Sequence, residues 1–169
     1  MNKKDASTTA LQRPTDFFTA DEIAYLREVD SRHSSLAIAH CWAVIVGTWI
    51  VVSIFPNPIT ITLGVMIIGA RQLGMFVLTH DGAHGSLFKN RKLNDWVCEW
   101  ILNRPFTDEK IDNYRKYHVV HHANTQQEND PDLVLSKPFP ITKSSFRRKV
   151  IRDLTGQTGW DQYGRIVKA

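Results

Sequence analysis

Residues 36–55, LAIAHCWAVIVGTWIVVSIF, run for twenty positions without a charged side chain. At 1.5 Å rise per residue such a helix covers roughly 30 Å, the hydrocarbon thickness of a bilayer, so the run reads as a transmembrane span. Residues 59–78 form a second apolar run of twenty, and only Pro56-Asn57-Pro58 lies between the two, which leaves room for a tight hairpin and little else. Arg71 and Gln72 interrupt the second run. An ionisable group in a span faces a protein interior or polar cavity, or snorkels to the boundary. The first 22 residues are polar and lack the apolar stretch and small-residue cleavage site of a signal peptide, so the first run is expected to stay in the protein.

The charges give the hairpin a direction. Of 21 Lys and Arg residues, five precede the first run, one is Arg71 and fifteen follow the second run. By the positive-inside rule both termini are then expected on the cytoplasmic side. The same rule explains the net charge of +4 without a nucleic-acid partner. Cys41 and Cys98 both fall in apolar surroundings with no CxxC spacing, so they read as buried packing residues and not as a disulfide framework.

Outside the spans the pattern is of short helices. Residues 1–18 read as a mobile tail. Thr19 and Glu22 have the capping-box spacing and open a helix expected to reach about Arg32. After a loop following Gly85, Asp95 is expected to cap a short interfacial helix, WVCEWILNR, whose Trp96 and Trp100 suit a membrane boundary. Thr107-Asp108-Glu109 is expected to start the next helix, acidic in its first turn. Residues 136–169 read as a polar basic tail with an incomplete fold and at most one short amphipathic helix, in which Arg147, Arg148, Lys149 and Arg152 form a basic face, expected to be solvated, with anionic lipid headgroups or a redox partner as the alternatives. The whole is expected to be all-α: a membrane helical hairpin with cytoplasmic and interfacial helices, its main body over residues 19–135.

Five of the seven histidines fall in two tight groups. His80 and His84 are four apart, so on a helix they share one face with Cβ atoms roughly 5–6 Å apart. His118, His121 and His122 also share a face, in a stripe with Ile111, Tyr114 and Thr125 that is expected to point inward while Arg115 and Lys116 point away. Five neutral imidazoles at a membrane boundary leave many polar nitrogens to satisfy, and charging them together is repulsive, so a shared metal is the economical explanation. All-imidazole ligands suit Zn, Cu, Fe or Ni alike. Asp81 reads as an acceptor for a ligand N–H or, equally, as a solvated carboxylate at the helix end. His33 and His40 have no such companions and read as ordinary surface and span residues.

HDGAH at 80–84 and HVVHH at 118–122, with Asn94-Asp95 after the first box and Asp130-Pro131-Asp132 after the second, resemble the membrane fatty acid desaturase family over about residues 36–135. That resemblance implies a non-haem di-iron enzyme of lipid metabolism that uses O2 to desaturate an acyl chain, with His80, His84, His118, His121 and His122 as metal ligands. It implies a membrane lipid or acyl substrate. It assigns no catalytic side chain beyond the ligands and no substrate-binding residue, and no haem-attachment or iron–sulfur cysteine pattern identifies an electron donor.

The family pattern continues to a third HxxHH box, whereas no histidine follows His122. The chain is therefore expected to correspond to the amino-terminal half of such an enzyme, or to a shortened relative, and to be inactive alone. A hydroxylase or ketolase of the same di-iron superfamily would share both boxes, and a non-catalytic membrane fragment would lack the third. A zinc metalloprotease of the HExxH kind explains HDGAH poorly, because Asp reaches less far than Glu and the second histidine group has no part in it.

Overall fold

A computed structural model describes residues 13–168. The expected tail at residues 1–18 lies mostly outside the described residues, and its remainder contains a 3-10 turn, Pro14–Asp16. The described residues are helical, with no strand among them. They fall into two units that divide between Arg115 and Lys116, inside one continuous helix.

In the first unit, α1 (Ala20–Leu26) opens with the expected box: the Glu22 N–H donates to Thr19 Oγ1 and the Thr19 N–H to Glu22 Oε2. It stops at Leu26 instead of reaching Arg32, because Asp30 starts the next helix by accepting from the N–H groups of Arg32 and His33. That helix, α2 (Ser31–Ile54), and α3 (Pro58–His84) pack on one another as the predicted hairpin. Asn57 caps α3, accepting from the Ile59 and Thr60 N–H groups, and Pro58 occupies the first helical position, where a missing N–H costs nothing.

Both long helices are apolar around most of their circumference, yet only 11% of each apolar window is buried by protein. Trp49, Ile54, Ile59, Val65 and Met66 are all strongly exposed. A core helix of a water-soluble domain would be covered, so these surfaces call for lipid.

Protein packing concentrates at the other end of the hairpin. Ile38 and Cys41 of α2 and Met75 of α3 form one core with Leu87, Phe88, Val97 and Leu102, against which Trp42 and Phe106 stack with ring centroids 5.8 Å apart. α4 (Arg91–Val97) runs directly into a π-helical turn, Cys98–Asn103. This segment starts earlier than the sequence suggested: Asn90, not Asp95, supplies the cap, donated to by the Leu93 N–H. Trp96 and Trp100 are exposed, as expected at a boundary.

α5 (Ile111–Asn124) begins four residues after Thr107. Its first N–H groups are satisfied from a distance, since the Ile111 N–H donates to Glu99 Oε2 at 2.8 Å. Burial pushes the Glu99 carboxyl up, but this bond and the Arg104 guanidinium outweigh burial and hold it below the usual range.

In the second unit the chain continues from α5 into a short α6 (Leu133–Ser136), then α7 (Lys143–Leu154) and α8 (Gln157–Lys168). Two amphipathic helices thus occupy the stretch expected to hold at most one. Thr142 caps α7, and Gly156, at φ +76°, turns the chain into α8, a left-handed conformation that glycine adopts without penalty.

Candidate metal centre

The last turn of α3 carries the first histidine group. His80 and His84 lie one turn apart with ring centroids 4.8 Å apart, and Asp81 Oδ1 sits 3.1 Å from His80 Nδ1, where it accepts the ring N–H. The turn is closed immediately afterwards. Gly85 is left-handed at φ +77°, and a Cβ there would collide with the Arg91 side chain.

Asn94 then pins the loop. It is fully buried; its Nδ2 donates to Gly82 O at 2.9 Å and its Oδ1 accepts the Leu87 N–H at 3.2 Å. One side chain thus satisfies a carbonyl inside the first box and an amide after it. Close by, Gly82 passes so near to Cys98 that a Cβ on it would lie 2.5 Å from Cys98 Sγ. Burial pushes the Cys98 thiol up to about 12.

Arg115 overturns one expectation. Instead of pointing away, its guanidinium donates to Ala83 O (2.9 Å), Asp95 Oδ1 (2.7 Å) and Asp112 Oδ1 (2.8 Å). The planar fork suits such a three-way clamp, which ties the first turn of α5 to α4 and to the residue beside His84.

The second group lies further along α5. His118 Nε2 and His122 Nε2 are 2.9 Å apart. Two nitrogens bound to one cation at about 2.1 Å and roughly a right angle would be about 3 Å apart, so this pair has the spacing of neighbouring ligands. His121 is engaged differently. Its Nδ1 lies 2.7 Å from Asp130 Oδ1 and 3.5 Å from Asp132 Oδ2, and the Asp130 carboxylate raises its pKa against the effect of burial. Asp130 is itself held low, first by His121 and then by the Gln126 and Asp132 N–H groups, against burial. Tyr117 completes the cluster by donating to Asp132 Oδ1.

Asp130 and Asp132 therefore orient a box histidine nine and eleven residues upstream. A carboxylate on Nδ1 fixes the tautomer that presents Nε2 outward, the arrangement common among metal-bound imidazoles. Sequence reading noted this pair only as part of a family pattern. The physical signal was an acidic pair just beyond the box helix.

His80 and His84 on α3, and His118 and His122 on α5, are pairs of imidazoles one turn apart, and such donors, imidazole without thiolate, fit iron as well as zinc, copper or nickel. Neither a curated protein nor a solved structure matches the chain. A family model described as fatty acid desaturase matches residues 56–168, a stretch that includes the second span, both histidine groups and the aspartate pair that orients His121. With its two membrane-capable helices and this match over most of its length, the chain belongs to the fatty acid desaturase family of membrane oxidoreductases.

Proposed function

We propose that His80, His84, His118, His121 and His122 are ligands of one iron centre, di-iron in the complete family site, at which an acyl chain held in the bilayer is desaturated with O2. The observation that carries this reading is the His118–His122 nitrogen pair, 2.9 Å apart on a helix whose first turn Arg115 bonds to Ala83, next to His84. Along α5 His118 and His122 follow Arg115 by about 4.5 and 10.5 Å of rise. Bound iron supplies O2 activation and hydrogen removal from an inert C–H bond. The chain's own residues bind and orient: the imidazoles donate, and Asp81 and Asp130 hold the rings of His80 and His121. The exposed apolar surfaces of α2 and α3 fit a substrate that dissolves in lipid.

Five imidazoles fill one iron's shell with open positions, or two irons poorly, and an under-filled site is labile. The 169 residues expressed alone in a desaturase-deficient host are therefore expected to give no new unsaturated fatty acid by gas chromatography. The same residues extended by a family half carrying a third HxxHH box are expected to give it. Product from the short chain would replace this reading with a homodimeric site. An extended chain that binds iron yet makes only hydroxylated or no product would end the desaturase reading.

We place the hairpin turn on the side opposite the histidine groups, with both termini cytoplasmic, on the strength of the lopsided Lys and Arg count. Cys41 and Cys98 are buried, so a single introduced thiol reports cleanly. Because Asn57 caps α3, the exposed Pro56 is the better site. A Pro56→Cys variant is expected to react with an impermeant maleimide only from the non-cytoplasmic side. Labelling from the cytoplasm alone would reverse the orientation.

A further inference from the structure

The α7–α8 pair leaves apolar side chains uncovered on two packed helices. Phe146, Val150 and Leu154 recur every four residues along one face of α7 and are exposed, as are Ile151 beside them and Trp160 and Tyr163 on α8. Packing of α7 on α8 does not bury these side chains. Opposite the stripe, Arg148 and Arg152 are one turn apart, and Lys149 stands at its edge. Residues 143–168 contain seven Lys and Arg against Asp153 and Asp161, and Asp153 is already bonded to Lys149 and Thr158.

We infer that α7 and α8 lie in the plane of the bilayer surface as a docking face for anionic phospholipid, their apolar stripe in the acyl boundary and their arginines and lysines at the headgroup phosphates. A solvated basic face has no use for an exposed stripe of Phe, Val, Leu, Trp and Tyr. An acidic protein would match the charge and accept the Trp160–Tyr163 pair, with ring centroids 6.1 Å apart, but gives no reason for a mainly aliphatic stripe opposite the arginines of α7. A lipid surface accounts for both, since Trp and Tyr favour the headgroup level, apolar helix faces enter the acyl boundary, and basic residues are drawn to anionic lipid. The hairpin already holds the chain at a membrane, so the pair needs only modest affinity of its own. The inference does not depend on the desaturase reading.

To test it, the full chain is reconstituted in vesicles of phosphatidylcholine alone and of phosphatidylcholine mixed with phosphatidylglycerol, bearing a nitroxide at Leu154→Cys or, as a polar-face control, at Arg152→Cys. The probe's access to oxygen and to an aqueous nickel chelate is then compared. In the anionic vesicles the Leu154→Cys probe is expected to be several-fold less accessible to nickel than the Arg152→Cys probe. Combining Leu154→Cys with Arg148→Glu and Lys149→Glu, both exposed positions off the apolar stripe, is expected to abolish that difference without unfolding the chain, as circular dichroism would show. Equal nickel access at the two positions in both vesicles would overturn the inference and leave the face to an acidic protein. Protection that is the same in both lipids and survives charge reversal would overturn the anionic recognition.

Discussion

On the proposed reading, the purified chain supplied with iron is expected to bind far less of it once His118 and His122 are both replaced by alanine. Removing a partner that merely orients a ligand costs roughly 10–100-fold in metal affinity, and removing two donors should exceed the upper end of that range. The pair is the strongest candidate because its two Nε2 atoms are already 2.9 Å apart, so binding needs little rearrangement. His33→Ala, outside both groups, is the control. Iron per chain by mass spectrometry, read beside helix content, separates loss of ligands from loss of fold. Undiminished iron in the double variant would remove the second group from the site.

The largest stability effect is expected at Gly82, the central residue of HDGAH. An alanine there would bring its Cβ to 2.5 Å from Cys98 Sγ, 3.0 Å from Cys98 Cβ and 3.1 Å from Leu87 Cδ1. Cys98 is wholly buried and cannot swing into solvent. Overpacking of this kind costs about 1–3 kcal/mol. Because the displaced turn also carries His80 and His84, iron retention should fall with stability. Cys98→Ala removes the sulfur, so the double variant Gly82→Ala/Cys98→Ala should be more stable than the sum of the single effects implies. Denaturant titration in detergent gives all three values; strictly additive effects would show that the clash is relieved elsewhere.

Hairpin, turn and histidine groups were legible because each depends on residues near in sequence. Long apolar runs, Pro-Asn-Pro and histidines one helical turn apart state their structure locally. What escaped depends on partners far along the chain. The α5 start was misplaced at Thr107 because its first N–H group is satisfied by Glu99, twelve residues upstream. The charge of Asp95 invites a capping role, whereas Asn90 caps α4 and Asp95 pairs with Arg91 and Arg115. Helical spacing turned Arg115 outward, but its long side chain reaches back to Ala83, thirty-two residues earlier. The second amphipathic helix was missed because glycines at 159 and 164 lower the apparent propensity of a segment whose apolar residues still fall on one face.

The π turn at 98–103 acts as a phase shifter. In it the Arg104 N–H reaches back five residues to Glu99 O, one more than a regular helix allows. That surplus residue lets Glu99 serve Ile111 while Asn103 reaches Glu109 O and Cys98 stays against Gly82. Removing the surplus residue would close the turn to the common pitch and take away the wider spacing in which Glu99, Asn103 and Cys98 meet their partners. The segment between the boxes is thus indifferent to many side-chain exchanges at its exposed tryptophans yet unforgiving of a change in length, as a key tolerates scratches on its bow but not a missing tooth.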